Sequence, residues 1–382
     1  MVCSVEITSA GRRPALLLGR RHISHLREYY LKIVAEGQAD FCSKSIQSAL
    51  YPFSKIYGFA VKTRIFFYRK GVLKATRLPV PVISVGNITL GGTGKTPFIE
   101  YLARYLDEKG KKSAILSRGY AAAIRQKSGD TARSACNDEY LVFQENIPHV
   151  PNLLNKDRVA AGLKAIRDFQ AECVLLDDGF QHLRLARDLD IVIIDALNPF
   201  GYDYLTPRGM LREPLDALKR ADLIALTHVD QCSQGAVERI IDRLRKIAGH
   251  IPVVKTVHSP VCLETQEGSR LPVRELEGKG VFAFCAIGNP LSLKRSIENL
   301  GAKVLGFRTF PDHHPYSLDD LKRLDEESRR LMPDAIITTQ KDKVKIKNDG
   351  VAWNFPLWTL KMEIRILEGC GVLESKIDAV FN

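Results

Sequence analysis

No CxxC pair occurs in this 382-residue sequence. Its eight cysteines (Cys3, Cys42, Cys136, Cys173, Cys232, Cys262, Cys285 and Cys370) are scattered, without metal-ligand spacing to the histidines. That argues against a zinc site or a disulfide frame and for reduced thiols in a cytoplasmic compartment. No uncharged apolar run approaches the roughly 18 residues of a membrane-spanning helix, so none is expected. Residues 1–40 lack the apolar core and small-residue cleavage site of a signal peptide. We expect residues 1–44 to form a poorly ordered extension. There is no repeat of fixed period and no low-complexity tract, which excludes solenoids and propeller arrays.

Another absence is local. Between Phe41 and Leu78 there is no Asp or Glu, but there are eight bases: Lys44, Lys55, Lys62, Arg64, Arg69, Lys70, Lys74 and Arg77. With six basic and four acidic residues before it, this stretch puts +10 of the net charge of +12 into the first 78 positions. Such a surface faces something anionic, either phospholipid or nucleic acid. At about 100° per residue, Ile46, Ala49, Leu50, Phe53, Ile56, Tyr57, Ala60, Phe67 and Tyr68 share one side of a helix, with Lys55, Lys62 and Arg69 opposite. A basic helix with an aromatic stripe fits a membrane interface better than nucleic acid. A helix whose apolar face packs on the core remains the alternative. Residues 45–78 are therefore expected to be a basic amphipathic segment that associates with anionic lipid.

What is present beyond Leu78 reads as α/β. The chain is 45% hydrophobic and 26% charged, enough to bury the cores of two domains. Apolar runs at 80–85, 113–116, 173–176, 191–194 and 223–226, with another strand starting at 252–254, alternate with amphipathic stretches at 97–108 and 157–169. That pattern predicts a parallel sheet with covering helices, its sites at the carboxyl ends of the strands. Strands near 281–287, 303–309, 335–339 and 357–364 with helices near 291–299 and 317–331 predict a second, smaller α/β domain. The expected division is 79–258 for a P-loop core and 259–382 for the smaller domain.

Gly91-Gly92-Thr93-Gly94-Lys95-Thr96 lies between the first strand and the first helix of that core. In such a loop backbone N–H groups converge on phosphate oxygens, lysine reaches the β- and γ-phosphates, and the hydroxyl after it ligates Mg²⁺. The expected ATP-binding residues are Gly91, Gly92, Thr93, Gly94, Lys95 and Thr96. The strict pattern has glycine where this chain has Thr89, so the loop is a variant. Asp177 and Asp178 end an apolar strand, where P-loop proteins place the carboxylate that organises Mg²⁺; with Thr96 they are the expected metal set. A strand-ending turn is the plainer alternative.

At this point the sequence resembles a known family, the tetraacyldisaccharide 4'-kinases of lipid A biosynthesis. The likeness is carried by Gly86-Asn87-Ile88-Thr89-Leu90-Gly91-Gly92-Thr93-Gly94-Lys95-Thr96-Pro97, Ser117-Arg118-Gly119-Tyr120 and Asp177-Asp178-Gly179-Phe180-Gln181-His182. It continues through Leu211-Arg212-Glu213-Pro214, Phe310-Pro311-Asp312-His313-His314 and Thr338-Thr339 with Lys341-Asp342, and covers about Tyr51 to the C-terminus. The resemblance implies a two-domain P-loop enzyme, peripheral on the cytoplasmic face of the inner membrane and with no obligate protein partner. It would transfer the γ-phosphate of Mg-ATP to the 4'-hydroxyl of a tetraacyldisaccharide 1-phosphate. It further implies Asp138 as general base, His313 as its partner from the second domain, and Lys95 as the catalytic lysine. Glu213 and Tyr120 resemble further site residues; Arg118 and Arg158 are phosphate contacts on charge alone. For Asp138, a helix N-cap is the competing reading. The chain departs from the family pattern at Asn137-Asp138-Glu139-Tyr140 (Gly-Asp-Glu-Pro), at Pro207-Arg208-Gly209 (Pro-Ala-Gly) and at Gln340 (Glu).

Rival readings are a P-loop GTPase or ATPase switch or metallochaperone without a lipid acceptor, and a soluble kinase of small metabolites. A guanine reader should show Asn-Lys-x-Asp after a late strand; Thr339-Gln340-Lys341-Asp342 half resembles it. A small-metabolite kinase leaves the basic block at 41–78 without a purpose.

Overall fold

The computed structural model describes residues 41–118, 138–346 and 352–382, so the extension expected at the N-terminus lies almost wholly outside the described residues. The chain runs α1 (Phe41–Arg69), β1 (Val82–Asn87), α2 (Lys95–Glu108), β2 (Ser113–Ser117), α3 (Asp138–Asn146), β3 (Asn152–Leu154), α4 (Arg158–Phe169), β4 (Cys173–Asp177), β5 (Leu189–Asp195) and β6 (Leu223–Thr227). It continues α5 (Gln234–Ala248), β7 (Val253–Glu264), β8 (Arg270–Pro272), β9 (Gly280–Cys285), α6 (Pro290–Asn299), β10 (Lys303–Thr309), α7 (Leu318–Leu331), β11 (Ala335–Thr339), α8 (Gln340–Lys343), β12 (Leu357–Glu368) and α9 (Cys370–Asp378).

Every residue of β1, β2, β4, β5 and β6 is buried, which is why these strands read as unbroken apolar runs. Parallel strands covered on both faces need that composition. Two of the helices start where side chains take up free N–H groups: Asp157 accepts from Val159 and Ala160 at the head of α4, and Ser317 with Asp320 forms a capping box on α7.

Among the described residues the strands form one sheet in the order β10-β9-β11-β12-β7-β6-β5-β1-β4-β2-β3, with β8 beside β7. All neighbours are parallel except at β7, which is antiparallel to both β12 and β8. The boundary expected near residue 259 thus falls inside a long strand. β6 pairs with the start of β7 at Val253–Lys255, whereas Thr359 and Leu360 of β12 sit opposite Glu264 and Leu263 at its end. β11 pairs with β12 at Leu357–Leu360. The two parallel sets are therefore offset by about 30 Å along β7, at about 3.3 Å per residue. Because β12 returns antiparallel, the carboxyl ends of β9–β11 point back towards those of β1–β6. That places both site-bearing edges on one cleft.

α1 lies against the body through its small residues. Ser54 and Gly58 are buried; Ser54 Oγ donates to the Leu205 carbonyl at 2.8 Å, and the Tyr57 hydroxyl donates to the Arg212 carbonyl at 2.9 Å. The large apolar residues stay outside: Phe53, Ile56 and Phe59 are 61%, 68% and 74% exposed. The docking face is thus the Ser54–Gly58 side, turned away from Phe53 and Ile56 of the stripe that periodicity picks out. Among the described residues no helix is long and apolar enough to cross a membrane.

Candidate active site

The loop after β1 is held from three sides. Leu90 N–H donates to the Met210 carbonyl at 2.7 Å, and Arg212 N–H to the Ile88 carbonyl at 2.7 Å. Thr89, which stands in for a glycine, bridges to Leu211, so the variant position serves to anchor the loop on the 201–212 segment. Asn87 Nδ2 donates to Thr93 Oγ1 at 3.1 Å, and Thr227 Oγ1 donates to the Thr93 carbonyl at 3.1 Å. Gly94 caps α2 at φ 91°, and a Cβ there would meet the His258 ring at 2.6 Å; the left-handed backbone and the histidine both require glycine. Under the loop His258 bonds to His228, whose Nδ1 lies 3.0 Å from Asp195. Across the cleft a Cβ on Gly288 would lie 2.5 Å from the Gly92 nitrogen, so the turn after β9 sits directly on the phosphate loop.

Lys95 Nζ lies 3.6 Å from Asp178, and Arg212 grips the same carboxylate with two bonds of 2.7 and 3.0 Å while reaching Asn87 Oδ1 at 3.0 Å. Burial alone would raise the Asp178 carboxyl; Lys95 and Arg212 more than offset it and hold it at about 2. At Asp177 the charges of Lys95 and Arg158 do not offset burial, and the carboxyl is pushed up to about 6, by burial first and by Asp178 second. Asp177 and Thr96 are both buried and offer only oxygen donors, the kind that suits a hard divalent cation. Arg158 is buried at the head of α4, where burial lowers its pKa and the charges of Asp177 and Asp178 oppose that. Arg118 sits exposed just beyond β2. Glu213 pairs with Arg220 at 2.7 Å, and the neighbouring Arg212 is the one that reaches Asp178. Tyr120 lies outside the described residues.

Asp138 and His313 are brought together. His313 Nδ1 is 2.8 and 2.9 Å from the two oxygens of Asp138, across 175 positions of chain. Asp138 is buried at the first turn of α3; its carboxylate faces His313 and also accepts from the adjacent Glu139 N–H at 3.2 Å, a contact one residue along that is not the bond to the second or third helical N–H that defines a cap. His313, at φ 62° in the turn after β10, is half exposed. The Asp138 hydrogen bond raises the imidazole above its ordinary value, and burial raises the Asp138 carboxyl. Glu139 lies 3.9 Å from His313 Nε2 and 3.0 Å from Lys341 Nζ; burial pushes its carboxyl up, but Lys341 and the Asp138 contact hold it below the usual range. Asp138, Glu139 and His313 could geometrically hold a metal ion. Positive charge lies close by: Lys341 Nζ is 3.0 Å from Glu139, and Lys345 Nζ is 2.9 Å from Asp342 and 4.0 Å from Asp138. Glu139 is also among the charges that raise Asp177, after burial and Asp178.

The sequence assigns no role to Arg212, Glu139, Lys341, Lys345, Thr227 or His258, although Arg212, Glu139 and Lys341 fall inside the quoted motifs beside Glu213, Asp138 and Asp342. Asp342 settles the rival guanine-reading motif: fully buried, it accepts from Ala286 N–H at 3.1 Å, Tyr316 hydroxyl at 3.0 Å and Thr339 hydroxyl at 2.6 Å, and has nothing left for a base.

A glycine loop feeding a helix at the carboxyl edge of a parallel sheet, with Lys95 opposed to paired acids, defines the class: a P-loop nucleotide-dependent phosphotransferase. A family model described as tetraacyldisaccharide-1-P 4'-kinase matches residues 46–382. The chain is 36% identical over 367 residues to a tetraacyldisaccharide 4'-kinase of Halothermothrix orenii, covering 89% of this chain and 94% of that one. It is also 36% identical over 309 residues to the enzyme so named in Syntrophus aciditrophicus, covering 77% and 83%. The solved LpxK of Aquifex aeolicus, crystallised with ATP, superposes with a TM-score of 0.66 at 31% identity over 88% of this chain and all of that one. The chain belongs to the tetraacyldisaccharide 4'-kinase family.

Proposed function

We propose that this enzyme transfers the γ-phosphate of ATP to the 4'-hydroxyl of a tetraacyldisaccharide 1-phosphate, the step that gives lipid IVA in lipid A biosynthesis. The single observation carrying this reading is the Asp138–His313 pair, 2.8 Å apart, in the same cleft as the phosphate loop. An alcohol acceptor must lose its proton as the phosphoryl group arrives, and a buried carboxylate oriented by an imidazole suits that task.

Backbone N–H groups of Gly91 to Thr96 cradle the phosphates, and Lys95 meets the charge that develops on the γ-phosphoryl oxygens. The bond from the 4'-oxygen to phosphorus forms as the bond to the bridging oxygen of ADP breaks. Asp138 takes the hydroxyl proton. His313 holds Asp138 by Nδ1–H, with Lys341 and Lys345 keeping the local charge balanced. Thr96 and Asp177, with Asp178, would hold Mg²⁺, which when bound offsets the phosphate charge. Asp178, engaged by two cations, orients Lys95 and Arg212. Arg118 and Arg158 serve as phosphate contacts, and Glu213 positions Arg212 through the segment they share. Residues 79–258 and 259–382 act as two lobes that bring phosphate and base together. α1, with exposed Phe53, Ile56 and Phe59 beside Lys55 and Lys62, seats the enzyme on anionic lipid at the cytoplasmic face of the inner membrane.

Incubating the protein with labelled ATP and the disaccharide 1-phosphate in detergent micelles tests this directly. A bisphosphorylated lipid is the expected product; nucleotide hydrolysis without labelled lipid would favour the switch reading.

A further inference from the structure

The segment that clasps α1 carries a cation with no counter-ion among the described residues. The guanidinium carbon of Arg208 lies 3.6 Å from the Tyr204 ring centroid and 4.9 Å from that of Tyr51. The two rings meet edge-on at 85° with centroids 6.3 Å apart. Lys55 Nζ lies 5.0 Å from the same Tyr51 ring. Among the described residues no carboxylate pairs with Arg208 or Lys55, and Arg208 Nε is buried without a hydrogen-bond partner. The backbone is fixed as well: Arg208 N–H donates to Ser54 Oγ at 2.9 Å. A guanidinium caged by aromatic faces has already given up its rotamer freedom and presents its N–H fork in one plane, the geometry that suits phosphate. Leaving such a group partly buried and unpaired is costly unless a ligand satisfies it.

Its place in the molecule matters. Tyr57, about 9 Å further along α1 at 1.5 Å per residue, donates to the Arg212 carbonyl, and Arg212 holds Asp178 in the phosphate site. Arg208 is thus displaced from the reaction centre along α1, where it meets Tyr51 and Ser54. A disaccharide acceptor carries its existing phosphate at C1, on the sugar remote from the 4'-hydroxyl. Gripping it takes a second anion site set away from the phosphate loop and close to the acyl chains.

We propose that Arg208, assisted by Lys55, binds the 1-phosphate of the lipid acceptor. The inference rests on the lipid-kinase reading and is tested separately from it. Wild type and Arg208→Gln are compared with the acceptor bearing its 1-phosphate and with the same acceptor dephosphorylated at C1, in neutral detergent micelles. Equilibrium binding of both acceptors, with no ATP present, is measured alongside. The expected result is a 10- to 100-fold loss in affinity and in kcat/KM, carried by KM, for the 1-phosphate acceptor only, the range for a charge-assisted contact. Arg208→Lys should fall between, and KM for ATP should not move. Equal losses on both acceptors would assign Arg208 to holding α1 in place and overturn the proposal; so would no loss on either. A loss that shows only on phosphatidate vesicles and not in micelles would give the site to bilayer headgroups instead. Wild type that binds the 1-phosphate acceptor through Arg208 but transfers nothing to it would sink the kinase reading and leave this one standing.

Discussion

The phosphate side of the cleft and its proton side are assembled differently. Lys95, Asp177, Asp178 and Arg212 come from segments at the edge of one parallel set, and Lys95 and Arg212 together hold Asp178. On the proton side Asp138 and Glu139 come from α3, His313 from the turn after β10, and Lys341 and Lys345 from beyond β11. The first cluster is joined by contacts within one parallel set, Lys95 and Arg212 both reaching Asp178; the second depends on the β7–β12 ladder, which turns one set of carboxyl edges towards the other. Charge placement differs too. Lys95 and Arg212 together hold the Asp178 carboxyl low, whereas Asp177 is raised by burial; on the other side Lys341 lies 3.0 Å from Glu139 and Lys345 4.0 Å from Asp138.

If that contrast is right, damage to the two sides should look different. Lys95→Ala should lower kcat by more than about a thousandfold with the fold intact, since it removes a contact to charge developing in the transition state; circular dichroism and steady-state rates check it. Arg212→Gln should cost about 10- to 100-fold, because Asp178 loses its bidentate partner and Lys95 is drawn towards it. Titrating Mg²⁺ in that variant should show a changed metal requirement, an effect not expected for His313→Ala.

Membrane seating should be separable from both. Replacing Lys55, Lys62 and Arg69 with Gln should weaken binding to anionic vesicles by about 3 kcal/mol, at roughly 1 kcal/mol per base, and added salt should do the same. Unchanged vesicle binding would show that α1 serves only to brace the 201–212 segment.

The two sides are also coupled at the back. Asn146 Nδ2, on α3, donates to both oxygens of Glu100 on α2 at 3.1 and 3.0 Å and to Gln340 Oε1 at 3.0 Å. Burial pushes Glu100 up to about 7 from the ordinary 4.5. A carboxyl raised on folding contributes stability that is complete below the unfolded value and is lost as pH rises through the folded one. Between about pH 4 and pH 8, Glu100→Gln should therefore gain on wild type by up to the order of 3 kcal/mol. Chemical denaturation at the two pH values checks it; a constant gap would mean that Glu100 is not held neutral.

Sequence reasoning finds the phosphate side readily because its residues are neighbours. A glycine loop after an apolar strand and an Asp-Asp at the end of another are local patterns with a chemical reason. Buried parallel strands such as β4 and β5 are equally legible, since burial on both faces forces an apolar run. The three-residue β3 and β8 are not, being defined by their partners. Periodicity identified α1 but not its docking face: it registers where the large apolar residues are, while the body of the protein sits on Ser54 and Gly58. On the proton side, Asp138 and His313 are recognisable only through family motifs. Lys341 and Glu139 gain meaning only once α8 and α3 are side by side, a fact of topology that no local stretch encodes.

The central claim is that Asp138 and His313 act as one base across the cleft. A double-mutant cycle on kcat, with lipid acceptor and ATP saturating, tests it most directly. Each single alanine variant should lose about 10²- to 10⁴-fold in kcat with little change in KM for ATP, and the double variant should be scarcely worse than the more damaged single. Losses that multiply in the double variant, or a fully active Asp138→Ala, would contradict it and pass the base assignment to another carboxylate.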